Sequence, residues 1–213
     1  MFELWKKASR KEAEAQGALA GFCRFFEVED CSSMKEERVD SFLSCFGGRS
    51  FGNGVFRTFA PEDIDKWHKI TNCDMYSKLH GEYELFGYDW SGRCFAVSRN
   101  KKLGYNEVII LELCTCKILF TEVGFLDFLN SEIPQYHDAC LDSEYYKEWL
   151  VGHEPVELMQ CVGYKVPLFL NGQDEVDNKE IIDMEVYWDM TTQIWEAVKD
   201  LPEGTKIGDI RFE

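Results

Sequence analysis

The sequence predicts an α+β fold, a mostly antiparallel sheet with flanking helices, preceded by a short helical N-terminal segment. Three observations carry this. Two strand pairs read as hairpins: 82–90 with 93–99, joined by Ser91-Gly92, and 107–113 with 117–121, turning at Cys114–Cys116. Apolar residues then recur at helical spacing, first Phe125, Phe128 and Leu129, then Cys140, Leu141, Tyr145 and Trp149. Strands and helices come in runs rather than in β-α-β alternation, which argues against a parallel sheet. The 213 residues, 45% hydrophobic and 15% aromatic, suffice for one large domain or for one domain with a smaller N-terminal piece.

Taken in order, residues 1–50 read as the helical N-terminal segment. Trp5, Leu19, Phe22, Phe25 and Phe26 stand among good helix formers. A second helix is expected at 35–46, capped by Ser32 or Ser33 with Glu36 following. Gly47–Gly54 holds four glycines in eight residues and reads as a turn or linker. It is not a phosphate loop, because no strand precedes it and no Gly-Lys-Ser/Thr closes it. Residues 51–213 form the α+β domain. Pro61 with Glu62, Asp63 and Asp65 starts a helix, the proline tolerated at its first position and the acids facing the positive dipole end. After the two hairpins come a short helix at 125–129 and a longer one at 136–150. Strands are expected at 156–163, 166–170 and 184–190, then a helix from Thr191 or Thr192 to Leu201, closed by Pro202 and Gly204.

Charge is the most informative bulk property. The chain carries 23 basic and 39 acidic residues, net −16, and residues 121–213 alone carry 6 and 21, net −15. So acidic a chain lacks the clustered lysine and arginine that direct nucleic-acid binding requires. No apolar run approaches a membrane span. The start, Met-Phe-Glu-Leu-Trp-Lys-Lys, lacks the pattern of a signal peptide, so the expected compartment is the cytoplasm. Nine cysteines without a secretion signal argue against a disulfide framework. There is no C-x-x-C, and His68, His80, His137 and His153 are scattered, so no metal or other cofactor is expected and the thiols read as small hydrophobes. No G-x-S-x-G marks a nucleophile, and residues 174–180 lack the ligand ladder of a calcium loop. The expectation is a protein without catalytic residues. An acidic interaction module and a Cys/His metal-dependent enzyme remain the alternatives.

Three stretches stand out. In Phe86–Arg93, Asp89 is placed to accept N–H groups of the turn and Trp90 to anchor the hairpin. Cys161–Gly172 puts Gly163 before Tyr164 and Lys165, and Pro167 inside an apolar run, which implies an edge strand or a kinked crossover. Asp183–Asp189 alternates acids with apolar side chains, as a strand with one anionic face does.

These blocks, GNG-x-x-R-x-F at 52–59, FGYDW-x-G-R at 86–93, CVGYKVPLFL at 161–170 with N-x-E at 178–180, and DMEVYW at 183–188, resemble the C-terminal domain of the Tdi-type immunity proteins. Those proteins partner type VI secretion DNase effectors, and the domain often follows a GAD-like domain. The resemblance runs from about Gly52 to the C-terminus. Residues 1–50 are shorter than a GAD-like domain and read as a remnant or a cap. The resemblance marks Gly87, Tyr88, Asp89, Trp90, Arg93, Gly163, Lys165 and Pro167 as structural motif residues. It implies a cognate nuclease toxin as partner, with the chain a monomer or small oligomer. Charge then nominates Asp174, Glu175, Asp177, Glu180, Asp183 and Glu185 to meet the toxin's basic surface. Tyr164, Tyr187 and Trp188 would anchor the contact or support it.

Overall fold

A computed structural model describes residues 17–31, 34, 38–202 and 204–205. Six strands form an antiparallel meander in the order β1 to β6: β1 Ser50–Phe51, β2 Phe56–Thr58, β3 Tyr83–Asp89, β4 Cys94–Ser98, β5 Glu107–Glu112 and β6 Lys117–Gly124. Both expected hairpins are present. The β3–β4 ladder shifts register between Leu85 and Gly87. A side chain on Gly87 would lie 2.7 Å from the Phe56 ring and 2.8 Å from the Arg57 carbonyl, so only glycine lets β2 pair there.

Helices cover both faces of the sheet, which is why the central strands are buried almost throughout rather than alternating. Against one face, led by Phe56, Phe86, Phe95, Val97, Val108 and Ile110, pack α1 (Ala20–Phe25), α2 (Val39–Phe46) and the helical run 125–149. Against the other, Tyr83, Leu85, Tyr88, Ala96, Ile109 and Leu111 meet α3 (Ile64–Thr71) and the last helix. Edge-to-face phenylalanine contacts join α1 and α2 to the strands, with Phe22 within 6.1 Å of Phe42, Phe46, Phe51 and Phe56. Asn130 fixes the start of α1, accepting the Gly21 and Phe22 N–H groups and donating to the Ala18 carbonyl. The described part of residues 1–50 therefore shares one core with the sheet. Trp5 and the Ser32, Ser33 and Glu36 cap lie outside the described residues.

The structure corrects several element readings. Gly47–Gly54 is not a linker. It enters β1 and a 3-10 turn, with Gly48 and Arg49 hydrogen-bonded to Phe59 and Thr58. The helix expected at 136–150 begins earlier and is divided. A helical turn, α4 (Phe125–Asp127), runs through a π-turn at Phe128–Glu132 into α5 (Ile133–Leu141). Pro134 sits at that junction and has no N–H for the preceding turn. Asp142, in left-handed geometry, then separates α5 from α6 (Ser143–Trp149). Residues 166–170 form no strand: buried Pro167 leads into a 3-10 turn at Leu168–Leu170.

Residues 184–190 are helical. A two-stranded ribbon, β7 (Gln160–Tyr164) with β8 (Lys179–Asp183), ends where Asp183 caps α7 (Met184–Val198), accepting the Val186 N–H at 3.0 Å. Met184, Tyr187, Trp188 and Thr191 form its buried stripe. Cys31 and Cys45 are joined in a disulfide, their Cα atoms 6.0 Å apart, where no bridge was expected. The other seven thiols are free; Cys23 is buried, and Cys94 and Cys161 are fully so.

Candidate protein-binding surface

The motif blocks build a frame that holds the acidic end of the molecule. Asp89, wholly buried, accepts from the Ser91 and Arg93 N–H groups (both 3.0 Å), the Ser91 hydroxyl (2.9 Å) and Arg93 Nε (2.6 Å). The expected N–H bonds of the turn are thus present, and an ion pair joins them. Burial works against the Arg93 cation, but the Asp89 carboxylate outweighs it and raises the Arg93 pKa. Trp90 anchors the hairpin, stacked on Tyr146 and donating to the Leu141 carbonyl at 2.8 Å. Tyr88 is buried and donates no handle to solvent; its hydroxyl accepts the Met159 N–H.

Behind this turn lies Arg57, also wholly buried. Its guanidinium donates to the carbonyls of Glu157 (2.8 Å), Asp89 (2.6 Å) and Gln160, and its plane sits over the Tyr88 ring at 4.6 Å. Burial lowers its pKa, partly offset by Tyr88, Cys161 and Asp89. Arg57 thereby ties β2 and β3 to the chain entering β7. The ribbon docks on the hairpin turn through Val162 N–H to the Trp90 carbonyl and Trp188 Nε1 to the Gly92 carbonyl. Gly163 is required because an added side chain would lie 2.7 Å from the Tyr187 ring.

The ribbon's own loop is fixed from inside. Asn178 accepts the Val166 N–H and donates to the Val166 and Gln173 carbonyls, each at 2.9 Å. Lys165 reaches the Asp177 carbonyl at 3.0 Å. Lys179 is buried, its ammonium 3.8 Å from the centre of the Tyr145 ring and 4.8 Å from that of Tyr164, and 2.8 Å from Asp174. Asp174 also accepts the Tyr164 hydroxyl at 2.6 Å. Partial burial opposes its charge, yet Lys179 and Tyr164 win and lower its pKa. Asn178 and Lys179 are the positioning residues that pattern reasoning missed as such. Their signal was Lys179 standing as the sole basic residue between Lys165 and Lys199.

All six nominated acids are exposed. They divide by duty: Asp174 holds Lys179, Asp183 caps α7, and Glu185 pairs with Lys66, whereas the carboxylates of Glu175, Asp177 and Glu180 make no ion pair among the described residues. Of the nominated aromatics, Tyr187 and Trp188 are buried and support the ribbon; Tyr164 is half-buried. The strand reading of 183–189 expected one anionic face, but on α7 Glu185 and Asp189 simply lie outside the buried stripe.

Among the described residues no group of three or more His, Cys, Asp or Glu could hold a metal ion, and no helix is long and apolar enough to cross a membrane. Burial pushes the Cys23 and Cys140 thiols up to about 11 and Cys114 and Cys116 to about 12. At pH 8 these sites hold roughly a hundredfold to a thousandfold less thiolate than ordinary cysteines. Ellman's reagent will therefore label the native protein slowly at pH 8 and the denatured chain rapidly. Raised thiol pKa values also mean that the unfolded chain loses these protons first. Their stabilisation holds below the ordinary value of 9.0 and is lost as pH climbs towards 11 to 12. One thiol reacting at the denatured rate would instead mark a nucleophilic cysteine.

The arrangement defines an α+β scaffold that displays an anionic surface on a braced ribbon. The chain matches no family model and no curated protein sequence. Its fold is similar to that in the crystal structure of Atu4351 from Agrobacterium tumefaciens, 15% identical over 82% of this chain and 80% of that one, with a TM-score of 0.52.

Proposed function

We propose that this chain is an immunity protein of the Tdi type, a cytoplasmic, stoichiometric inhibitor of a nuclease toxin that performs no chemistry of its own. The observation that carries the reading is the braced acidic surface of the ribbon and the start of α7, within residues 121–213, which carry net −15. A DNA-cleaving toxin presents a positive cleft to phosphate, and rigidly displayed carboxylates meet that cleft with little ordering cost. The motif residues support the same reading, since they brace the surface rather than converge on a reaction centre.

The test is co-expression with the product of the adjacent gene, followed by co-purification and a plasmid-degradation assay. A one-to-one complex that abolishes cleavage is expected. Reversing Glu175, Asp177 and Glu180 to lysine leaves the Asp174–Lys179 pair and the Asp183 cap intact. This variant should associate about 10- to 100-fold more slowly, with a flatter salt dependence. Unchanged rate and salt slope would remove this surface from the interface; no complex at all would remove the immunity reading.

A further inference from the structure

The ribbon docks at the turn end of the β3–β4 hairpin. Roughly 20 Å away, at its open end, the charge reverses. There the 3-10 turn Asp74–Leu79 and the 99–104 turn between β4 and β5 face each other across a cleft of about 900 Å³. Lys78, His80, Glu82, Arg99, Lys101 and Lys102 surround it.

Two features set this cleft apart from a solvated lysine patch. The first is missing neutralisation. Elsewhere the acid-rich chain pairs many of its cations, Lys66 with Glu185, Lys147 with Glu144, Lys179 with Asp174 and Arg93 with Asp89, and Lys165 reaches a backbone carbonyl. Around the cleft, Arg99 is held by Glu84, and Asp74 is taken up by Lys199. Lys78, Lys101 and Lys102 lie within 4.0 Å of no carboxylate among the described residues, and Glu82 is the one acid lining the cleft. The second feature is rigidity. Asn100, buried on the cleft floor, donates to the carbonyls of Lys78 (3.5 Å) and Leu79 (3.4 Å) and accepts the Lys102 N–H at 2.9 Å. One side chain thus clasps both turns and fixes the backbones that carry three like charges. Such a cluster is repulsive until an anion enters it.

We propose that this cleft binds a small phosphorylated anion, held by the ammonium groups of Lys78, Lys101 and Lys102. Lysines act as compact point charges, which suits a phosphate; planar carboxylate recognition favours an arginine fork, and the one arginine here is already engaged by Glu84. The volume falls within the range of ligand sites. Net charge selects a small anion over a polymer. A nucleic-acid strand would extend beyond the cleft into the field of a protein carrying −16, whereas a small ligand stays within one Debye length, about 8 Å, of the lysines. The inference is independent of toxin binding, which uses the other end of the hairpin.

The experiment titrates the full-length, ¹⁵N-labelled protein with tripolyphosphate at constant ionic strength and follows backbone amide shifts. Saturable shifts confined to Lys78, His80 and residues 101–103 are expected. K101E/K102E, on an exposed turn, should weaken binding about tenfold or more while its spectrum elsewhere is unchanged. Equal shifts with sodium chloride, or equal affinity in K101E/K102E, would overturn the proposal. Displacement of tripolyphosphate by a short DNA duplex at lower concentration would also overturn it and give the cleft to nucleic acid.

Discussion

Arg57→Met will destabilise the protein by roughly 3–5 kcal/mol, because it removes one buried cation's hydrogen bonds to three backbone carbonyls at once. Two effects compete. Arg57 is a desolvated cation with no carboxylate in direct contact, and replacing buried charge by a well-packed apolar chain is sometimes neutral or stabilising. Against that, its acceptors are backbone carbonyls of Glu157, Gln160 and Asp89, which no repacking removes; the Gln160 N–H also reaches the Glu157 carbonyl and the Gly92 N–H the Asp89 carbonyl, so the loss is of three charge-assisted bonds rather than of every partner. A hydrogen bond from a charged donor contributes about 1.5–3 kcal/mol, and the loss of three outweighs the desolvation regained. The surroundings also balance charge, Arg57 and Arg93 against Asp89 and Glu112, so deletion leaves an anionic excess. Thermal unfolding should move down by about 10 °C in a chain of this size. Arg57→Lys should recover little, since one ammonium cannot reproduce a fork aimed at three carbonyls. A loss below about 1 kcal/mol in Arg57→Met would show that the ribbon is held without it.

The hairpins, the Pro61 helix start and the role of Asp89 were legible because each rests on local chemistry: a Ser-Gly turn, a proline at a first helical position, a carboxylate two residues before the N–H it accepts. The errors share a cause of another kind. In 183–189 apolar residues sit at 184, 186, 187 and 188, a pattern that serves a period of 2 and one of 3.6 equally over seven residues. The deciding fact was tertiary: Met184 and Trp188 meet a core whose partners, Tyr76 and Leu111, lie far away in sequence. Gly47–Gly54 read as a linker because glycine content carries no mark of a pairing partner; that partner is Phe56–Phe59, just beyond. The burial of Arg57 was invisible for the same reason, since two of its three acceptors stand about a hundred residues downstream. The acids of the ribbon were found by charge counting alone, but their division into braces and unpaired carboxylates needed coordinates.

Asp89→Asn tests whether the frame and the surface are one mechanical unit, and its expected cost is also about 3–5 kcal/mol. The substitution keeps the shape and leaves one oxygen for the Ser91 and Arg93 N–H groups. It points an amide N–H₂ at Arg93 Nε, however, so a 2.6 Å ion pair becomes a donor facing a donor beside a guanidinium only 13% exposed. Arg93 then keeps only the Cys140 carbonyl at 3.2 Å and the distant Glu112 carboxylate at 4.0 Å. Because the penalty is a stranded charge, Asp89→Asn combined with Arg93→Met should cost less than the sum of the two single changes, by about 1–3 kcal/mol in a double-mutant cycle. Strict additivity would mean that the turn's N–H bonds, not the ion pair, carry the stability. The same cycle bears on function. The Gly92 carbonyl accepts Trp188 Nε1, and the Trp90 carbonyl accepts the Val162 N–H, so a loosened turn releases both attachments of the ribbon. At a temperature where Asp89→Asn is still folded, its association with the nuclease partner proposed above should weaken although no surface charge has changed. The anion cleft, anchored by Asn100 at the far end of the same hairpin, should bind tripolyphosphate as before.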